Sequence, residues 1–296
     1  MKAWIIVLLA LVTSTGWAQL QQQAYIKASN SGESDRFGWD LALEGGTLVV
    51  SAPIERSAAT GINGDQSDNS LWDAGAVYVF TDVEGEWIQQ AYIKASNTDH
   101  NDQFGESVDI SGDTLVVGAP RESSAASGVN GDQHNNRMLY AGAAYVFVRE
   151  GETWRQQAYL KASNPGNPDY FGRSVAVHGD TIVVGAPGES SNAQGINGNQ
   201  DDNSSRAAGA AYVFTRVGEA WSQQAYLKAS DTRSMNGDWS YDEFGKAIDI
   251  YDDTIAVGAI GANAVYVFTQ NSGEWRQQAL IKASNTDIAY SFGCSV

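Results

Sequence analysis

Hydrophobic and polar positions along this chain fall into short alternating runs rather than helical stripes. Within residues 173 to 230, "RSVAVHG" alternates and "TIVVGA" is a continuous β-branched run. "GAAYVFTR" then alternates with aromatics, and "WSQQAYLKAS" alternates more weakly. Period-two alternation predicts half-buried strands, and a short β-branched run predicts a strand buried on both faces. The turns "EGGT" (Glu44 to Thr47), "SGDT" (Ser111 to Thr114), "HGDT" (His178 to Thr181) and "YDDT" (Tyr251 to Thr254) suit tight hairpins between the first two strands of each unit.

The four-strand pattern recurs. Phe-Gly pairs open at Phe37, Phe104, Phe171, Phe244 and Phe292, and "QQAYIKAS" or a close variant begins at Gln22, Gln89, Gln156, Gln223 and Gln277. Units of this size with a buried second strand and a polar fourth strand predict an all-β fold, a β-propeller of four-stranded antiparallel blades. Four complete blades are expected at about 37–96, 104–163, 171–230 and 244–284, within a domain over 19–296. Residues 20–29 read as an orphan outer strand and residues 292–296 as the start of a further blade. On this reading the sequence is a fragment of a larger, seven-bladed propeller with unpaired sheet edges.

"FGWDLALEGGTLVVSAP", "FGESVDISGDTLVVGAP" and "FGRSVAVHGDTIVVGAP" resemble FG-GAP repeats, the modules of integrin α-subunit propellers and of many exported bacterial proteins. The downstream "GAAYVF" and "WRQQAYLKAS" segments are similar to the bacterial subclass. The resemblance implies a binding or adhesion role. It also implies a calcium loop between the first and second strands, but the short turns found there cannot wrap an ion that takes six to eight oxygens.

Three long polar loops, "GINGDQSDNS", "GVNGDQHNNR" and "GINGNQDDNS", separate the second and third strands of the first three units. Antiparallel topology puts them on the same face as the blade-to-blade linkers. Long exposed loops that the fourth unit omits suggest a recognition face. The candidate contacts there are Asn63, Asp65, Asn130, Asp132, Asn197, Asp201 and Trp239, the last in a linker six residues longer than its counterparts and itself without an equivalent in other blades. Calcium is the one cofactor considered, with Asp65, Asp68, Asp132, Asp201 and Asp202 as candidate ligands, against the reading that these side chains bond to the local backbone. The recurring Trp87, Trp154, Trp221 and Trp275 read as blade packing, and Asp35, Asp102, Asp169 and Asp242 as turn residues.

Composition narrows the partners. The formal charge of −17 opposes nucleic acid and anionic membranes. One Lys, an apolar run (Ala3 to Val12) and small residues at Gly16 and Ala18 form a secretory signal pattern over 1–18, with cleavage expected at Ala18–Gln19 and no membrane insertion of the mature chain. Cys294 is the lone cysteine, so no internal disulfide can form. His100, His134 and His178 occupy non-equivalent positions, and no catalytic motif is present, so an enzyme is not expected. The expectation is an exported protein that binds a protein or surface partner, with a glycan-binding propeller as the alternative.

Overall fold

The computed structural model describes residues 22–232, 241–284 and 291–296. Sixteen strands form four antiparallel sheets, each strand pairing with its neighbour in sequence. The first sheet contains β1 (Leu41–Glu44), β2 (Thr47–Ala52), β3 (Ala76–Val83) and β4 (Glu86–Ile93); the second contains β5 (Ser107–Ser111), β6 (Thr114–Ala119), β7 (Ala143–Glu150) and β8 (Thr153–Leu160). The third contains β9 (Ser174–His178), β10 (Thr181–Ala186), β11 (Ala210–Val217) and β12 (Ala220–Leu227). The fourth contains β13 (Phe244–Tyr251), β14 (Thr254–Ala259), β15 (Ala264–Asn271) and β16 (Glu274–Lys282). These are propeller blades, and their hairpins fall at the turns expected from sequence.

The expected outer strand over 20–29 is not a paired strand in the described part of that segment, residues 22–29, and residues 291–296 likewise form none. A strand is fixed by a ladder partner, and neither segment forms a ladder with a described strand. The expected signal segment lies outside the described residues.

Apolar faces of successive blades meet in separate cores. Phe104, for example, packs edge-on against Tyr145 and Phe147, with ring centroids 5.3 and 6.1 Å apart. Phe171 meets Tyr212 and Phe214, and Phe244 meets Tyr266 and Phe268, in the same geometry. The glycine after each of these phenylalanines has a left-handed backbone, φ +91 at Gly105 and +88 at Gly172 and Gly245. A Cβ on Gly172 would lie 2.2 Å from the Ala143 carbonyl oxygen, so the Phe-Gly pair combines a ring that fills the core with a backbone that must touch the next strand.

The Gln-Gln pair has an equally specific cause. Pairing between β3 and β4 shifts between Val79 and Phe80, leaving Gln90 as a bulged residue, and the same shift leaves Gln157 and Gln224 unpaired in the next two blades. A bulge re-aims its side chain. Each of these amides accepts the indole N–H of the following blade: Trp154 to Gln90 at 2.8 Å, Trp221 to Gln157 at 2.7 Å and Trp275 to Gln224 at 2.9 Å. The tryptophans are buried, as packing residues should be, and also pin one blade to its neighbour.

At the axis, innermost strands are joined through side chains. Asp40 accepts the Val108 amide at 2.8 Å, and Asp109 accepts the Val177 amide at 2.7 Å. Burial raises the Asp109 carboxyl to about 6, with the charges of Asp249 and Asp40 adding to the rise.

Candidate functional site: the loop-bearing mouth of the propeller

The long loop of the first blade runs outward along its own sheet edge. The Asn63 amide donates to the Tyr92 carbonyl at 2.7 Å, while the Asn63 side-chain oxygen accepts the Tyr92 amide at 2.9 Å. Asn130 does the same with Tyr159 and Asn197 with Tyr226. All three asparagines have φ of 54 to 55°, a left-handed conformation that Asn tolerates better than most residues. The candidate contacts Asn63, Asn130 and Asn197 are therefore occupied in clamping each loop to its outer strand.

The carboxylates beside them hold turns. Asp65 accepts the amide of Ser67 at 2.9 Å and its hydroxyl at 2.7 Å, which lowers the pKa of this exposed carboxyl. Asp132 accepts the His134 amide at 3.0 Å, Asp68 the Ser70 amide at 2.9 Å and Asp202 the Ser204 amide at 2.7 Å. Asp201 is exposed, and its amide donates to Asn199 at 3.0 Å. Among the described residues no group of three His, Cys, Asp or Glu converges as a metal would require. Trp239 lies outside the described residues.

Beneath these loops is a polar network that the sequence reading missed. Lys161 Nζ meets Glu122 Oε2 at 2.8 Å with the lysine side chain fully buried and the glutamate nearly so. The other glutamate oxygen accepts Asn97 Nδ2 and the Ser124 amide, both at 3.0 Å, and the Tyr145 hydroxyl donates to Asn97 at 2.6 Å. The first blade repeats the set with Lys94, Glu55, Asn30 and Tyr78, and the third with Lys228, Glu189, Asn164 and Tyr212. Its sequence signal was a charged residue recurring at fixed intervals inside otherwise apolar strand ends, "YIKAS" and "YLKAS".

Asp35, Asp102, Asp169 and Asp242 are buried between these networks. Burial raises Asp102 to about 8 and Asp169 to about 7, each helped by a nearby glutamate and opposed by a backbone N–H and by lysine charge. Burial also lowers the pKa of Lys94, Lys161 and Lys228, and the paired glutamates oppose it. The result is a line of acidic and basic groups threading the blades below the loop face, structural in character.

Above it the linkers converge on a cavity of about 950 Å³. Its wall is set by two positions flanking each Phe-Gly. Arg36, Gln103, Tyr170 and Glu243 precede the pair, each in a left-handed conformation, and Trp39, Glu106, Arg173 and Lys246 follow it. The Phe-Gly scaffold repeats while these eight side chains all differ in type from their counterparts at the same position. A rigid frame presenting variable side chains into one concavity is the form a binding site takes.

Comparison with curated proteins finds no match. Among solved structures, the fold is similar to one described as a putative 6-phosphogluconolactonase from Bacteroides uniformis, at 10% identity and a TM-score of 0.46, over 84% of this chain and 58% of that one. A likeness at that level carries no inference about activity. The FG-GAP repeat family matches residues 20–80, 87–147, 154–214 and 221–274, each match running from the outer-strand segment of one unit to the third strand of the next blade. With the Phe-Gly geometry recurring in each blade, the chain belongs to the FG-GAP repeat family.

Proposed function

We propose that this chain is an exported, noncovalent binding protein that recognises a protein or cell-surface partner through its loop-bearing face. The observation that supports this reading is the cavity of about 950 Å³ where linkers from all four blades meet. Its lining varies from repeat to repeat while the positions that build each blade stay the same. The clamped loops stand preformed on the same face, farther out, which reduces the ordering cost of binding there. On this reading Asp65, Asp132 and Asp201 contribute at the periphery of that face, and the cavity wall carries the specificity.

A glycan ligand is the second reading, favoured by Trp39, an exposed indole on the cavity wall. The test is to probe a protein microarray and a glycan array with the labelled chain and with a Trp39→Ala, Tyr170→Ala variant of unchanged melting temperature. Capture of defined proteins that the variant loses supports the first reading, and capture of defined glycans the second. Capture that the variant retains would move recognition away from the mouth.

A further inference from the structure

The charge at the mouth is opposite to that of the chain. Against a formal −17, the cavity wall carries Arg36, Arg121, Arg173, Arg206 and Lys246, with Glu106, Asp169 and Glu243 as its acidic residues among the described ones. Those three acids are already engaged: Glu106 pairs with Arg173, Glu243 with Lys246 at 3.3 Å, and Asp169 is buried with its carboxylate accepting the Gly166 amide.

Arg36, Arg121 and Arg206 are left with no ion pair among the described residues. Each instead lies over an aromatic ring, Arg36 over Trp39 at 5.0 Å, Arg121 over Tyr140 at 5.7 Å and Arg206 over Tyr241 at 5.4 Å. Tyr140 in turn stacks on Tyr170, centroids 6.0 Å apart and planes 15° from parallel. A guanidinium resting against a ring, with no carboxylate taking its N–H groups, keeps donors available for a two-point bond to a carboxylate or phosphate.

The opposite face differs. There Arg149 pairs with Asp113 at 2.8 Å, Arg216 with Asp180 at 2.6 Å, and Arg155 with Glu150 and Glu219 at 2.5 and 3.0 Å, although Arg149 and Arg216 also lie over tryptophan rings. Arg56 and Arg137 likewise have no ion pair among the described residues, but neither lines the cavity, whereas Arg36, Arg121 and Arg206 surround one concavity.

We propose that the mouth cavity binds a multiply charged oxyanion ligand, carrying carboxylate or phosphate groups, through the ring-supported guanidinia of Arg36, Arg121 and Arg206. The inference rests on the mouth being the recognition site and adds the chemistry of what it takes. A cavity of this volume admits a ligand of several such groups, free or at the end of a larger partner.

The experiment is calorimetric titration of the purified chain with citrate and with pyrophosphate at low ionic strength, repeated for Arg121→Gln, Arg206→Gln and the opposite-face control Arg155→Gln, each checked for an unchanged melting temperature. The expected result is saturable binding of at least one anion, weakened at least about tenfold by each mouth substitution, unaffected by the control and lost on adding salt. Whether citrate or pyrophosphate binds more tightly identifies the carboxylate or phosphate source. No saturable heat with either anion, or binding that all three variants retain, overturns the proposal. If the arrays show mouth-dependent capture while neither anion binds or competes, the recognition reading stands and only the oxyanion chemistry falls.

Discussion

Lys94 Nζ and Glu55 Oε2 lie 2.8 Å apart with both side chains wholly excluded from solvent, although the lysine sits just beyond the end of an outer strand. The strap formed by the long loop makes this possible, since Gly61 bonds back to Lys94 and Ala95 and roofs the strand end. Removing one member of such a pair leaves an uncompensated buried charge. Glu122→Gln in the second blade is expected to cost about 3–5 kcal/mol in urea unfolding, while the apolar double replacement Glu122→Leu, Lys161→Met costs clearly less. Equal losses would mean that the pair is not behaving as a buried ion pair.

The fourth blade solves the same problem differently and supplies a second prediction. It has no strap glutamate, and Asp231 stands where the other blades have Asn30, Asn97 and Asn164. Asp231 accepts the Tyr266 hydroxyl and lies 3.7 Å from Lys282, so one residue replaces both the asparagine and the glutamate. Asn97→Asp alone should destabilise by placing a second carboxylate beside Glu122, and adding Glu122→Gln should recover part of that loss. A double-mutant cycle showing coupling below about 0.5 kcal/mol would reject this compensation.

Backbone geometry at the blade boundary predicts a strong position effect. Gly172→Ala combines φ +88 with a Cβ 2.2 Å from the Ala143 oxygen, and a loss of about 3 kcal/mol is expected. Gly179 also has positive φ, +56, but faces open space, so Gly179→Asn should change stability by no more than about 0.5 kcal/mol. Thermal melts of the two variants decide the matter.

The buried aspartates predict how stability follows pH. With its folded pKa near 8, well above the ordinary carboxyl value of 3.8, Asp102 holds a proton in the native state that the unfolded chain has released. Its contribution is complete below about pH 4 and is lost as pH rises through about 8. Asp169 and Asp109 act in the same direction, up to about 7 and about 6. Asp102→Asn keeps an acceptor for the Asp99 amide without the charge, so its melting temperature should gain on the wild type between pH 5 and pH 8.5. Parallel curves for the two proteins would count against a protonated Asp102.

The loop asparagines separate scaffold from contact. Asn130→Ala removes the acceptor for the Tyr159 amide and puts Ala into a left-handed backbone, so the strap should open more often. Limited proteolysis within residues 121–142 is expected to accelerate about tenfold, while cleavage elsewhere is unchanged.

Much of the blade was legible because strand periodicity, the hairpin turns and the Phe-Gly interval all report local structure. Trp154 and Trp221 were readable as packing residues, but their bonds to Gln90 and Gln157 were not, since those depend on a bulge within the outer strand that alternation does not mark. Lys94 was not legible as a buried residue, because burial by the loop is a tertiary effect. The loop asparagines drew attention by composition, yet their polarity serves the backbone. Arg36, Tyr170 and Trp39 carried no signal in the sequence, and only the left-handed turn before Phe-Gly and the convergence of the linkers bring them to one wall.

That separation has an evolutionary consequence. A residue before or after Phe-Gly faces the mouth without entering the blade core, so its identity can drift while Phe, Gly and the Gln–Trp ties keep the architecture intact. Eight such positions shape one surface, several of them in pairs, as with Arg36 over Trp39 and Arg173 against Glu106. Duplication and divergence of a single 67-residue unit could therefore generate new mouth surfaces without first passing through an unstable protein.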